Sequence, residues 1–126
     1  MNQESRIRTF TDLHSWQEGH KLVVAVYELT RKFPEDEKFG LVSQMRRAAV
    51  SITSNIAEGF SRDSYADKKH FYVMSHGSLT ELQNQLLIAR DVKYIKEDVF
   101  RQLADLAIAV HKLITGLIRA TKAYEA

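Results

Sequence analysis

The sequence predicts an all-α protein folded as an antiparallel up-down-up-down four-helix bundle. Three observations carry that prediction. Apolar residues recur at three- and four-residue steps in four separate segments, the mark of one buried helix face. One proline and five glycines in 126 residues leave few chain breakers. The connections between the periodic segments are short, which sets each helix antiparallel to the one before.

The first helix is expected from about Asp12 to Lys32, with Leu13, Trp16, His20, Val23, Tyr27 and Thr30 on one face. Thr11 or Asp12 is placed to cap it by accepting from free backbone N–H groups of the first turn. Phe33-Pro34 ends it, because the proline ring disfavours helix at the residue before. The acidic Glu35-Asp36-Glu37 suits the start of a short helical turn, and Gly40 allows a change of direction.

The second helix spans about Leu41 to Phe60, with Leu41, Met45, Ala48, Ile52, Ile56 and Gly59 inward. Ser64 and Asp67 then form a capping-box pattern that opens a third helix, about Tyr65 to Arg90. That helix carries Phe71, Ser75, Ser78, Leu82, Leu86 and Ala89 on its inner face. The fourth, about Glu97 to Lys122, has a heptad seam of Val99, Leu103, Leu106, Val110, Leu113, Leu117 and Ala120. Phe100, Ala107, Ile108, Ile114 and Ile118 widen its stripe beyond what one partner helix needs. That excess predicts self-association.

The composition narrows the class. A chain that is 44% hydrophobic and 27% charged is ordinary for a folded protein, and its length fits one domain over residues 1–126, with about the first ten residues flexible. Without cysteine there is no disulfide, thiolate zinc site or cysteine nucleophile, which fits the cytoplasm. Met1 to Phe10 is polar and charged, so no signal peptide is visible. The longest apolar run, Leu22 to Tyr27, is far short of the roughly 20 residues a membrane span needs, so no membrane association is expected.

Motifs for chemistry are missing. Di-iron bundles use Glu-x-x-His pairs, and the nearest pattern is a single Asp67-x-x-His70, so neither metal nor cofactor is expected. No serine sits in a Gly-x-Ser-x-Gly elbow, and no glycine-rich loop precedes a Lys-Ser or Lys-Thr pair. No catalytic residue is assigned, and His20 reads as a hydrogen-bonded core histidine.

Two groups of polar residues stand out instead. Gln44, Ser51, Asn55 and Glu58 share a stripe on the second helix, among small residues that let another helix come close. They read as a polar network between helices or as ligand contacts. Arg46, Arg47, Arg62, Lys68 and Lys69 follow one another through that helix and its turn, with Arg62 and Lys68 the freer for lying near the turn. They are the candidate contacts to RNA or DNA phosphates, although a net charge of +2 is too small to diagnose such a partner by itself.

Several stretches together resemble a known family. They are Phe10-x-Asp12-Leu13-x-x-Trp16, Phe33-Pro34, Phe39-Gly40-Leu41, and above all Gln44 through Ile52 continuing into Ser54-Asn55-Ile56-Ala57-Glu58-Gly59. Gly77-Ser78-Leu79-x-Glu81-Leu82 and Tyr94-Ile95 follow. The chain resembles the bacterial intervening-sequence proteins, encoded within large-subunit ribosomal RNA genes and often mislabelled ribosomal protein. That family is similar to the accessory proteins of diversity-generating retroelements. The resemblance implies a homopentameric ring of four-helix bundles with a basic surface and no enzymatic activity. Its retroelement relatives bind RNA or DNA and a reverse transcriptase, so the alternative role is a protein-interaction scaffold or accessory subunit for such an enzyme. Two departures matter. Thr53 stands where many members have proline, which implies a straighter second helix. Asp91-Val92-Lys93-Tyr94 lacks the glycine common before that tyrosine, which implies a different end to the third.

Overall fold

A computed structural model describes residues 7–125. Four α-helices follow one another: α1 (His14–Thr30), α2 (Leu41–Ser61), α3 (Tyr65–Asp91) and α4 (Glu97–Glu125). Single 3-10 turns, Phe10–Asp12 and Glu35–Glu37, precede α1 and α2. Each helix packs on its neighbours in the chain and α4 closes back on α1, with no strand among the described residues. The all-α bundle is as expected. The expected flexible start falls mostly on residues 1–6, outside those described.

The helix ends follow the local chemistry, with one correction. Ser64 Oγ accepts from the Asp67 N–H at 3.1 Å, capping α3 as the sequence suggests. The acidic turn Glu35–Glu37 forms too, and Glu37 accepts from the Tyr94 hydroxyl at 2.7 Å, tying the α1–α2 connection to the α3–α4 connection. Neither Thr11 nor Asp12 caps α1. Leu13 holds that position with no side-chain bond, because the Asp12 carboxylate turns back to accept from the Arg8 and Thr9 N–H groups.

Two helices are rotated from their expected faces. The buried side of α1 is Ser15, Gly19, Leu22, Val26 and Thr30, so Leu13, Trp16, Val23 and Tyr27 lie only at its margin. His20 is exposed and stacks on Trp16 with ring centroids 4.7 Å apart, so it is not a core histidine. In α4 the buried line is Leu103, Ala107, Val110, Ile114 and Thr121. Ala107 and Ile114 are therefore interior, Phe100 and Ile118 are half-buried, and only Ile108 of the supposed excess is exposed. The broad stripe is consumed inside the bundle, because α4 packs on both α1 and α3. Apart from Ile108 it gives no ground for self-association.

In α2 the expected face holds: Met45, Ala48, Ile52, Ile56 and Gly59 are all buried. Near its far end α2 comes close to α3 at Gly59. A methyl group at Gly59 would sit 2.6 Å from Tyr72 Cε1 and 3.1 Å from Phe71 Cβ. Ser75 Oγ donates to the Ile52 carbonyl at 2.7 Å, and Ser51 and Ser78 share a hydroxyl bond of 2.8 Å. Thr53 is also buried, with its Cγ2 against Gly19 of α1, and α2 runs unbroken through it.

The end of α3 answers the missing glycine. The Tyr94 N–H bonds the Ala89 carbonyl and the Lys93 N–H bonds that of Arg90, the paired bonds of a Schellman turn. Lys93 itself takes the left-handed position, with φ 70°, where glycine is favoured. Further along, the facing residues His76 of α3 and His111 of α4 bring their Nε2 atoms to 2.7 Å. Desolvation, and secondarily the charge of His111, hold His76 below its ordinary pKa.

Three outcomes are expected in thermal melts. Gly59→Ala should cost about 1–3 kcal/mol, because Tyr72 is wedged between helices and cannot withdraw. Lys93→Gly should stabilise by about 0.5–1 kcal/mol by relieving the left-handed lysine. A folded-state histidine pKa below the unfolded one makes stability complete above about pH 6.5 and lost as pH falls through the lowered value. His76→Gln should therefore flatten the pH dependence of the melting temperature between neutral and mildly acidic pH.

Candidate nucleic-acid interface

The five basic residues divide into two groups. Arg47 and Arg62 lie 15 positions apart on one helix, about 22 Å along its axis. Arg46 and Arg47 form the first group, near the start of α2. Arg62, Lys68 and Lys69 form the second, at the α2–α3 turn.

Within the first group the two arginines do different things. Arg46 turns toward α1, where its Nε donates to Thr30 Oγ1 at 2.9 Å and its guanidinium lies 4.6 Å over the Tyr27 ring. A further contact of 3.5 Å reaches the Tyr27 carbonyl. These acceptors belong to the last turn of α1, where the helix dipole favours a cation. Arg47, about 100° further round the helix, is exposed.

At the turn, Lys68 Nζ donates to the Phe60 carbonyl at 2.6 Å, with Gly59 O at 3.4 Å, and so caps the C-terminus of α2. Desolvation there lowers its pKa, with Asp63 opposing the shift. Arg62 pairs with Glu58 at 3.2 Å and lies 4.5 Å over the Phe71 ring. Neither residue is as free as its place near a turn suggests, since a helix end offers carbonyls and carboxylates at close range. Lys69 is half-buried with a contact of its own.

The polar stripe splits as well. Asn55 Nδ2 donates to the Ser51 carbonyl at 2.8 Å and to Ser51 Oγ at 3.0 Å, and Ser51 reaches Ser78 of α3. Three residues thus form an interhelical network, and Ser78 is the member that the second-helix stripe alone did not include. Glu58 joins Arg62 instead, and exposed Gln44 joins none of these bonds.

Arg47 opens onto a groove that sequence reasoning missed. Tyr27, Lys38, Phe39, Arg46, Ser51 and Ser54 help line it, and its volume of about 750 Å³ falls among ligand-sized clefts of about 300–1,000 Å³. The Phe39 ring is 90% exposed, beside the Lys38 ammonium at 5.6 Å from its centroid. The signal in the sequence was an aromatic residue breaking the polar run 35–38 just before a helix start. An exposed aromatic ring beside one cation, in a groove that Arg47 also lines, can stack a planar group while the cations hold its charge.

The sequence matches the model of the 23S rRNA-intervening sequence protein family over residues 11–116. The chain belongs to that family. It is also similar in fold to the crystal structure of a protein of unknown function from the S23 ribosomal protein family, from Bacteroides thetaiotaomicron VPI-5482. The TM-score is 0.77 at 20% identity, covering 82% of this chain and 97% of the other. No curated protein matches the sequence. No described helix of this intervening-sequence protein is long and apolar enough to cross a membrane.

Mutagenesis separates the two arginines. Arg46→Met should cost about 1.5–3 kcal/mol, because it removes charged hydrogen bonds to the end of α1. Arg47→Ala should change stability by less than about 0.5 kcal/mol. Chemical denaturation measures both, and equal costs would contradict the docked position of Arg46.

Proposed function

We propose that this intervening-sequence protein is a non-enzymatic module that binds single-stranded nucleic acid through the groove at the start of α2. One observation carries the reading: a phenylalanine left 90% exposed beside Lys38, in a groove that Arg46 and Arg47 also line. The ring is open to solvent beside a cation, which makes it a platform on which a base can stack. A base stacks on the ring, and Arg47 with Lys38 neutralises the adjoining phosphates. Such binding is tolerant of sequence and falls with salt. Arg62 and Lys68, at the other end of α2, add general positive potential more than direct contacts.

A second reading is favoured by a different surface. Leu87, Ile88 and Val92 near the end of α3 and Ile108 of α4 are each at least 42% exposed. Apolar residues in that number suit a protein interface, either between copies in a ring such as the family's pentamer or with an enzyme partner such as a reverse transcriptase. An interface of that kind is insensitive to salt.

Fluorescence anisotropy with a labelled oligonucleotide distinguishes the two. Phe39→Ala should weaken binding about five- to a hundred-fold, the worth of one stacked base. Arg47→Ala should weaken it uniformly across sequences and reduce the salt slope. Unchanged binding by both variants would discard the groove, and no binding by the native protein at low salt would leave the protein-interface reading. Sedimentation at micromolar concentration tests its form between copies, and a monomer there would refute that form.

A further inference from the structure

A second concentration of positive charge lies on the opposite seam of the bundle, between α3 and α4. From Lys68 to Thr80, α3 has no carboxylate, and from Leu106 to Tyr124 neither has α4. Those two stretches hold Lys68, Lys69, Lys112, Arg119 and Lys122, with His70, His76 and His111 besides. Antiparallel packing lays them side by side, as the His76–His111 contact of 2.7 Å shows. The surplus is therefore local, whatever the small net charge of the whole chain.

The seam has a recess at this place. Val73, His76, Thr115, Ile118, Arg119 and Lys122 line it, and its volume is about 320 Å³. Among the described residues, neither Arg119 nor Lys122 has an ion-pair partner, unlike Arg62, Arg90 and Arg101, each of which has a carboxylate on its own helix. Thr115, one helical turn before Arg119 on α4, lines the same recess. Among the described residues, two cations without an ion-pair partner, a hydroxyl and an imidazole line one recess that no carboxylate lines. This is the donor set for a tetrahedral oxyanion.

We propose that this recess is a phosphate-binding site, formed by Arg119, Lys122, Thr115 and the His76–His111 pair, which grips harder once the imidazoles take up a proton. At 2.7 Å the two nitrogens have room for one hydrogen between them, so one ring must accept. A doubly protonated pair repels itself across 2.7 Å and is disfavoured beside two cations. A phosphate oxygen in the recess reverses that balance, since it accepts from a protonated ring and offsets its charge. The proton comes from solvent, and binding and protonation are thereby linked. The charged and titratable groups facing the pair are these two cations and the second ring. Lys69, further back along α3, already has a contact of its own, and α2 contributes nothing to the lining. The site is separate from the Phe39 groove and stands or falls without it.

The test is a proton NMR titration of the histidine ring signals in chloride, in inorganic phosphate, and with a short oligothymidylate, all at equal ionic strength. Phosphate should raise the titration midpoint of His76 toward or above the usual value of about 6.5. Apparent affinity should climb as pH falls, by at most about tenfold per pH unit for one linked proton. Arg119→Gln with Lys122→Gln should abolish the rise and leave the melting temperature in chloride unchanged, since both residues are exposed. A rise with inorganic phosphate alone supports the site with a free phosphoanion as its ligand, whereas a rise with the oligonucleotide supports it with a strand phosphate. A midpoint that moves with neither ligand overturns the proposal. So does a rise that survives the double substitution.

Discussion

Everything else in the bundle depends on how closely α2 can be approached from two sides. It is the helix that α1 and α3 both pack against, so its inner surface must be small where they come nearest. Ala48 and Ala49 are buried toward the start, and Gly59 at the end meets Tyr72 with no room for a side chain. Close approach brings polar groups into range, and the structure uses that. Ser75 reaches the Ile52 carbonyl, and Ser51, Asn55 and Ser78 bond one another at the edge. Burying one face in this way fixes which residues of α2 point outward, and so where Arg47 and the floor of the groove lie.

Helix positions were legible in the sequence because breakers and caps are local. The start of α3 at Ser64 and the turn at Glu35–Glu37 need no tertiary knowledge. Facing was harder. In α1 the true inner face runs through Ser15 and Gly19, residues that hydrophobic periodicity does not count, while Trp16 and Tyr27 advertised a neighbouring face. In α4 the heptad seam traced one edge of a stripe shared by two neighbours, and the buried line runs between the seam and its supposed excess. Both errors come from one cause: a bundle helix with two partners centres its buried face between them, wherever its largest side chains cluster.

The site was legible by type and not by geometry. Five basic residues in sequence looked equivalent, yet Arg46 and Lys68 are occupied by carbonyls at the ends of α1 and α2. Those acceptors are exposed by helix termini 19 and 8 positions away, across a connection between helices, and no helical spacing rule reveals them. Arg47 remained because it lies one step round the helix from a docked neighbour. The carboxylate-free stretches of α3 and α4 were visible in the sequence all along, but each carries few cations alone. Only antiparallel register sums them. The family relationship adds a related point, since a backbone shared at 20% identity is held by pattern more than by particular side chains.

The hydroxyl of Ser75 has a mechanical consequence. A helix packed by hydrocarbon alone can slip along its neighbour at little cost, because one methyl contact replaces another. A buried hydroxyl anchored on a carbonyl of the facing helix cannot, since sliding by even a residue leaves it dry and unmatched. With the Ser51–Ser78 bond at the surface, α2 and α3 are pinned in register at two heights, 1 and 3 residues apart on their respective chains. The hairpin is then a stiff lever to which α1 is fastened by hydrocarbon and the Arg46 bonds, and α4 by hydrocarbon and the His76–His111 contact. Amide exchange from the native state would reveal it as one slow-opening block, outlasting the outer pair.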